Sequence, residues 1–477
     1  LKAPIAILLL LALLGTAAVL LNRRLPLVRN SLVYASASRH VIEHDYDPRP
    51  VVADSALSYD KPILYAWVSA PFVARFGAHD GLRITSWLGT IAYLLAAAYL
   101  GRVFLGRDSS AFLVLATLGP CVVYQFWSAH PDGWFAALVV LAWALAERIV
   151  RDPSTRPVRR IALLGAVVYA SILLKNYGLI LGISIPLYAL ARRAKLPRRA
   201  WFAAVAVFGA MGVLVLLAWT GHHPLSRLEG EGGGVGQYNR GVFLTSAKGT
   251  FVQLGIALLL QFHVALVLAT RRSAWVRDAV VPLVCFGGVY VAGLLPFPTT
   301  FYNMRYFLPL FPLVALVLVR GADAFAPATR RILLAGHVAI AVALVVVFDW
   351  APAYRAAGPA IPELSVNWIG VPLSLLDNLR MKLHLDQAAL LEEIDREVPA
   401  GSILYMVDVV YYGDAQQNVF EKDGLIRPDI ETRYVSSRSF EPREKSFFVY
   451  GFRGRPRGLE SFGSVTDLGR SLYRVAG

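Results

Sequence analysis

Charge and cysteine are the scarce ingredients of this 477-residue chain. Asp, Glu, Lys and Arg make up 17% of it, where soluble domains carry about 25%. That deficit excludes an ordinary soluble enzyme, and long apolar runs exclude a disordered chain. The two cysteines, Cys121 and Cys285, both fall within apolar runs and stand far apart. Neither has metal-ligand spacing, and two such residues make no disulfide framework. Internal repeats and low-complexity tracts are lacking as well. Only Glu229–Gly236 (EGEGGGVG) reads as a flexible stretch.

What is present is hydrocarbon. Hydrophobic residues reach 56%, and the mean hydropathy is +0.53. Apolar runs near the length that crosses a bilayer, about 20 residues, recur from end to end. They lie at Ala3–Leu21, Ile84–Leu100, Ala111–Trp127, Gly133–Ile149, Ile161–Leu174, Leu179–Leu190, Trp201–Thr220, Phe251–Thr270, Ala279–Leu295, Tyr306–Val319 and Ile332–Phe348. The expected fold is therefore an all-α polytopic membrane domain of about 11 transmembrane helices. The first run is long for a signal peptide and lacks a clear small-residue cleavage site, so it is read as a retained span.

Net charge adds sidedness. The chain carries 47 Lys and Arg against 32 Asp and Glu, a formal +15. In a soluble protein this excess would point to nucleic acid. Here the basic residues cluster between apolar runs, at 102–107, 151–160, 192–199, 271–277 and 320–331, on alternate sides of successive runs. Calling that side cytoplasmic places the N-terminus inside. The loops 22–83, 128–132, 221–250 and 296–305 then face outward, as does everything beyond Trp350. Arg23, Arg24, Arg29, Arg39 and Arg49 in the first outer loop break the rule, which marks that loop as a place where positive charge is used.

The sequence changes character after the last run. Leu385–Val398 has amphipathic helical spacing, and short strand patterns follow at Ser402–Val407, Ile430–Val435, Ser446–Gly451 and Leu472–Val475. The expected organisation is a transmembrane domain over 1–350 and a small α/β extracytoplasmic domain over 351–477, the latter a docking or lid module.

The polar residues gather in the outward segments. His40-Val-Ile-Glu43-His44 spells H-x-x-E-H, a zinc-peptidase pattern, though a solvated juxtamembrane helix explains it as well. Asp45-Tyr46-Asp47 has the spacing of a D-x-D pair that holds a divalent metal against a phosphate, and either acid could serve as a general base. A divalent metal is thus possible; no cofactor is demanded. Tyr59-Asp60-Lys61-Pro62 closes the same loop. Lys61, Lys175 and Arg305 are outward cations in apolar or aromatic settings. Each reads either as a snorkelling side chain or as an anion ligand, and together they could converge on a phosphate. His130-Pro131-Asp132 forms a whole outer loop, so Asp132 is held near the membrane surface, as helix cap or as functional acid.

In order and sidedness these features resemble the GT-C superfamily of integral-membrane glycosyltransferases, such as the protein O-mannosyltransferases and the lipid A aminoarabinose transferase. The matching elements are the first span with a long outer loop bearing Tyr34-Ala-Ser-Ala, the Lys61-Pro62 turn, and Arg83-Ile-Thr-Ser-Trp-Leu-Gly leading into span two. His130-Pro131-Asp132, the Arg305-Tyr306…Pro309 span and the outward tail complete the set. The resemblance implies a polyprenyl-phosphate-linked sugar as donor and transfer to a hydroxyl of a glycan, lipid or protein acceptor. Transfer would occur on the outer face of the plasma (inner) membrane, with inversion. It further implies that Lys61, Lys175 and Arg305 hold the donor phosphate, and that Tyr34, Tyr59, Asp60, His130 and Tyr302 line the substrate site. The family's acid precedes the tyrosine matched by Tyr34, where this chain has Asn30. The base is then expected at Asp45 or Asp47, with Asp132 next. A transporter or flippase for lipid-linked glycans is the alternative. Its polar groups would sit at mid-bilayer, whereas here they collect at one face.

Overall fold

The computed structural model describes residues 2–21, 30–50, 62–106, 110–117, 129–193, 195–219, 274–294, 308–323, 325–346, 387–407, 426–427, 429–435, 440–451 and 455–477. Among them the chain is mostly helical, with a small sheet near its C-terminus. The described helices, in chain order, are α1 (Lys2–Leu21), α2 (Asn30–Glu43), α3 (Leu64–Leu105), α4 (Ser110–Thr117), α5 (Asp132–Arg151), α6 (Pro157–Leu174), α7 (Leu179–Ala191), α8 (Arg198–Trp219), α9 (Ala274–Leu294), α10 (Phe311–Ala322), α11 (Pro327–Val346) and α12 (Gln387–Glu397). Four helical segments are long and apolar enough to cross a bilayer: Asp80–Leu105, Asp132–Arg151, Pro157–Leu174 and Arg198–Leu217. Shorter apolar helices cover Asn176–Ala191, Ala279–Tyr290 and Leu308–Ala322. The expected run at 251–270 and the loop at 221–250 lie outside the described residues.

Contacts divide the chain into two compact units. The first comprises Leu1–Leu20, Asp60–Tyr65 and Thr85–Asn378 and holds most of the apolar helices. At its heart is α5, which is apolar on nearly every side and buried along most of its length, as a helix ringed by other helices must be. Trp143 meets Tyr188 of α7 and Phe286 of α9 edge to face, with ring centroids 5.2 and 5.9 Å apart. By contrast α8 leaves Phe202, Val205 and Leu216 exposed, as a helix at the periphery facing lipid does.

One end of this unit is fastened by charge. Glu147, fully buried near the end of α5, accepts hydrogen bonds from the Tyr188 hydroxyl and from Arg151. Arg192 approaches the same carboxylate to 3.9 Å. Arg151 also donates to the carbonyl of Val103 at 2.8 Å, and Arg320 donates to that of Phe104. Arg330 pairs with Asp323 at 2.8 Å. Arg102, Arg151, Arg160, Arg192, Arg320 and Arg330 therefore share one end of the helical unit. A buried carboxylate is costly unless it is paired and hydrogen-bonded, and Glu147 has both.

The second unit comprises Leu21–Tyr59, Ala66–Ile84 and Leu379–Gly477. Its stretch of α3 contains Pro71 and a break at Gly77, whose φ of 76° and ψ of 167° are not helical. Glycine tolerates that conformation without a Cβ clash. Beyond the break the chain folds back, so that a Cβ on Gly81 would come within 2.6 Å of the Phe72 and Val73 backbone.

In the tail, β1 (Ile403–Val407), β2 (Glu431–Val435), β3 (Ser446–Gly451), β4 (Ser464–Gly469) and β5 (Leu472–Ala476) form one sheet in the order β2-β1-β3-β5-β4. β1 is parallel to β2 and β3, while β5 is antiparallel to β3 and β4. Side chains alternate across it. Leu404, Met406, Phe448 and Leu472 pack with Ile394 of α12 and with Val398 just beyond it on one face. Tyr405, Val407, Phe447, Val449 and Val475 pack with Phe440 and Leu459 on the other. β4 is the strand that the sequence pattern did not reveal. It is an edge strand with mostly exposed or half-exposed side chains, so it lacks an apolar stripe.

Candidate functional site

The end of the first unit away from the arginine clusters is built around the loop before α5. Ser86 donates to the carbonyl of His130 at 3.1 Å, and the Trp134 indole donates to the carbonyl of Thr85 at 2.8 Å. α3 and α5 nearly touch here: a Cβ on Gly89 would lie 2.5 Å from Cδ1 of Trp134, and one on Gly133 would lie 3.0 Å from Gly89. Only glycine at these positions permits such an approach. The N–H of Phe135 caps onto the carbonyl of Pro131 at 2.9 Å. Asp132 thereby sits in the first turn of α5, where the helix dipole favours a carboxylate.

Opposite it, α6 stops at Leu174. Lys175 is extended (φ −154°, ψ 134°), although its N–H still reaches the Ser171 carbonyl at 2.9 Å. A single 3₁₀ turn, Asn176–Gly178, follows before α7. This break in the helical path projects the lysine sideways. Its ammonium donates a charge-assisted hydrogen bond to Oδ1 of Asp132 and lies 6.0 Å from the Phe135 ring centroid. The pair is almost sealed, with side-chain exposures of 10% for Lys175 and 3% for Asp132. Tyr177 meets the buried Tyr290 edge to face at 6.3 Å, and Tyr290 continues through Phe286 into the core. His130 is buried beside them in sequence. The site is a lysine–aspartate pair among aromatics at the mouth of an apolar bundle. An ammonium so placed can exchange a carboxylate for a phosphate oxygen, and each exchange releases the other acid.

In the second unit Tyr34 is buried within α2, and its carbonyl accepts from Ser38 at 2.7 Å. The Ser38 hydroxyl also lies 2.8 Å from that of Ser69, tying α2 to α3. The helix ends in two left-handed residues, Asp45 (φ 53°) and Tyr46 (φ 64°). Asp45 is exposed. Asp47 is gripped by the guanidinium of Arg49, with contacts of 2.6–2.9 Å to both carboxylate oxygens. Hydrogen bonding from Arg49 holds its pKa below the usual carboxylate value. The H-x-x-E-H residues occupy the end of α2, where the His40 and His44 ring centroids are 4.2 Å apart and His40 is 3.8 Å from Glu43. Among the described residues, no group of three His, Cys, Asp or Glu side chains is placed to hold a metal ion.

Tyr59, Asp60, Lys61, Tyr302 and Arg305 lie outside the described residues. Of the sequence-marked residues that are described, the structure brings Asp132 and Lys175 into contact. Gly89, Gly133 and Trp134 set the depth of Asp132; the sequence marked Gly89 only as the end of the Arg83–Gly89 motif and Gly133 and Trp134 only as the start of an apolar run, with no role in the site. Their signal was a glycine and a tryptophan at the start of an apolar run, which is common in membrane spans.

No protein-family model and no curated protein matches the sequence. Solved structures do. ArnT from Cupriavidus metallidurans bound to undecaprenyl phosphate superimposes with a TM-score of 0.55 at 14% identity, covering 99% of this chain and 99% of that one. The apo form of the same protein gives 0.57 at 14% identity, covering 99% of this chain and 98% of that one. At this identity the likeness is one of fold: the chain has the fold of ArnT, and it is ArnT that is a lipid A aminoarabinose transferase of the GT-C type.

Proposed function

We propose that this protein is a membrane glycosyltransferase that takes its sugar from a polyprenyl-phosphate donor. The observation that carries the reading is the sealed Asp132–Lys175 pair, at the opposite end of the helical unit from the arginine clusters. Two facts support the donor class. A solved structure with this fold holds undecaprenyl phosphate, and a buried lysine among aromatics suits a phosphate that enters on a lipid chain. By the charge-sidedness rule the arginine end is cytoplasmic and the pair faces outward. Transfer would then take place at the outer surface of the plasma membrane.

In this mechanism the donor phosphate draws the Lys175 ammonium away from Asp132. Lys61 and Arg305 assist from the outer loops. The acceptor hydroxyl oxygen attacks the anomeric carbon as the bond from that carbon to the phosphate oxygen breaks, inverting the configuration. The electron pair leaves with the polyprenyl phosphate, whose growing charge the cations stabilise. Asp132, released from the Lys175 ammonium, takes the hydroxyl proton. Asp45 is the next choice of base; Asp47 follows, because Arg49 occupies its carboxylate and weakens its basicity. Tyr34, Tyr59, Asp60, His130 and Tyr302 are assigned to substrate contacts. Residues 1–350 form the transferase domain in this reading, and 351–477 an outward domain that meets the acceptor.

Binding of undecaprenyl phosphate to the purified protein in nanodiscs tests the reading. Lys175→Ala should weaken binding at least tenfold while the fold is retained. Equal affinity in wild type and variant would return Lys175 to a structural role.

A further inference from the structure

The end of the helical unit opposite the Asp132–Lys175 pair holds far more positive charge than its acids can neutralise. Glu147 is engaged by Arg151 and Arg192, Asp152 by Arg160, and Asp323 by Arg320 and Arg330. Arg156, Arg159, Arg193, Lys195, Arg198 and Arg199 remain exposed, with no acidic partner among the described residues. They lie on the two turns that join α5 to α6 and α7 to α8, and on the adjoining first turns.

These cations belong to one neighbourhood. α6 and α8 start at the same end and run side by side, so close that a Cβ on Gly165 would run into Val207. Gly165 and Val207 lie at about equal depths in their helices, which sets the two starts level. The α5–α6 turn is also rigid: Asp152 accepts from Ser154 and from the Thr155 N–H, at 3.1 and 3.3 Å, and Arg160 donates to its carbonyl at 2.9 Å. Arg156 and Arg193 both adopt left-handed backbone, at φ 46° and 47°. Glycine would sit there without strain, yet each position carries a cation.

Immediately deeper along the same helices the surface is bare hydrocarbon. Val158, Leu163, Leu190, Trp201, Phe202 and Val205 are all exposed, Phe202 by 74%. Fixed cations at the helix ends with exposed apolar side chains one or two turns below match a phosphate headgroup with acyl chains. A free phosphate ion would leave the apolar part unused.

We propose that this face binds an anionic glycerophospholipid of the cytoplasmic leaflet. The headgroup sits among Arg156, Arg159, Arg198 and Arg199, and the chains lie along Leu163, Phe202 and Val205. The leaflet assignment rests on the sidedness proposed above; the lipid class rests on charge and exposure alone.

The test uses the full chain, exchanged from detergent into nanodiscs and titrated with phosphatidylglycerol or phosphatidylcholine under native mass spectrometry. Wild type should bind phosphatidylglycerol in preference, and excess inorganic phosphate should not displace it. A cation near an anionic lipid surface contributes about a fivefold gain. The triple variant Arg159→Gln/Arg198→Gln/Arg199→Gln should therefore bind roughly 100-fold more weakly. The tail variant Arg443→Gln/Arg457→Gln/Arg474→Gln, which removes equal charge elsewhere, should bind as wild type does. Equal binding of both lipids, equal loss in both variants, or full displacement by phosphate would each overturn the proposal. A cysteine at Ser154 in intact spheroplasts reads sidedness separately. Protection from an impermeant thiol reagent supports the cytoplasmic leaflet, and labelling overturns the leaflet assignment without touching the lipid assay.

Discussion

Breaking the Asp132–Lys175 pair one partner at a time is the sharpest structural test. Lys175→Met keeps an unbranched side chain of similar length and removes the charge, so Asp132, with 3% of its side chain exposed, loses the ammonium it is paired with. Asp132→Asn keeps shape and removes the carboxylate charge from beside the ammonium. Losing one member of a buried pair costs about 3–5 kcal/mol, because the survivor stays desolvated and loses that opposite charge. The double variant removes both charges and leaves an amide beside a thioether. It should cost only about 1–2 kcal/mol, the scale of an imperfectly satisfied amide. The coupling energy is then at least ~4 kcal/mol, and the double variant is more stable than either single one. Equilibrium unfolding in mixed dodecyl maltoside and SDS micelles, followed by tryptophan fluorescence, measures all four proteins. Additive losses would refute the reasoning and show that the two side chains do not depend on each other.

Three further outcomes follow from particular contacts. Gly89→Ala should destabilise by about 1–3 kcal/mol and depress turnover, because its Cβ would meet Trp134 at 2.5 Å. Gly209→Ala and Gly212→Ala, with nothing within 4 Å, should be neutral in the same unfolding assay. In the tail, hydrogen bonding from the Tyr405 hydroxyl at 2.5 Å, with further help from Arg433, lowers the pKa of Glu444 from 4.5. A lowered carboxylate pKa adds stability above 4.5 that disappears as pH falls through the shifted value. Glu444→Gln should therefore loosen β1 and β2 near neutral pH and differ little from wild type in acid, as read by hydrogen exchange corrected for intrinsic rates. A cysteine introduced in the 221–250 loop should react with an impermeant thiol reagent in intact spheroplasts; labelling only after permeabilisation would invert the proposed topology.

The sequence exposed those parts of the fold whose periodicity differs from their surroundings. In the tail, Leu385–Val398 and the four strand patterns nearly match α12, β1, β2, β3 and β5, because the first has helical apolar spacing and the central strands β1 and β3 are short, nearly continuous apolar runs, as strands buried on both faces are. β4 lacked an apolar run and stayed hidden. In the membrane part, apolar runs gave the hairpin of α6 and α7, including the break at Lys175. They could not show that α3 breaks at Gly77, since glycine is ordinary in such helices. Site residues were legible one by one and not as pairs. Asp132 and Lys175 stood out as ionisable groups at the ends of apolar runs, and their common end followed from the alternating basic clusters. Their contact depends on how α5 and α6 are rotated, and helices that are apolar all round carry no stripe to fix it. The Asp47–Arg49 clamp is local, two residues apart, but loop geometry rather than spacing decides it.

The most direct measurement is release of polyprenyl phosphate from a radiolabelled polyprenyl-phosphate sugar by the purified protein in nanodiscs, with cell-envelope extract as acceptor. Wild type should transfer the label and release the lipid phosphate. Lys175→Met should lose donor affinity, and Asp132→Asn should keep the donor while turnover falls roughly 100-fold or more, the usual scale for a general base. Near-normal turnover in both variants, or no transfer by wild type from any polyprenyl-phosphate sugar, would contradict the account.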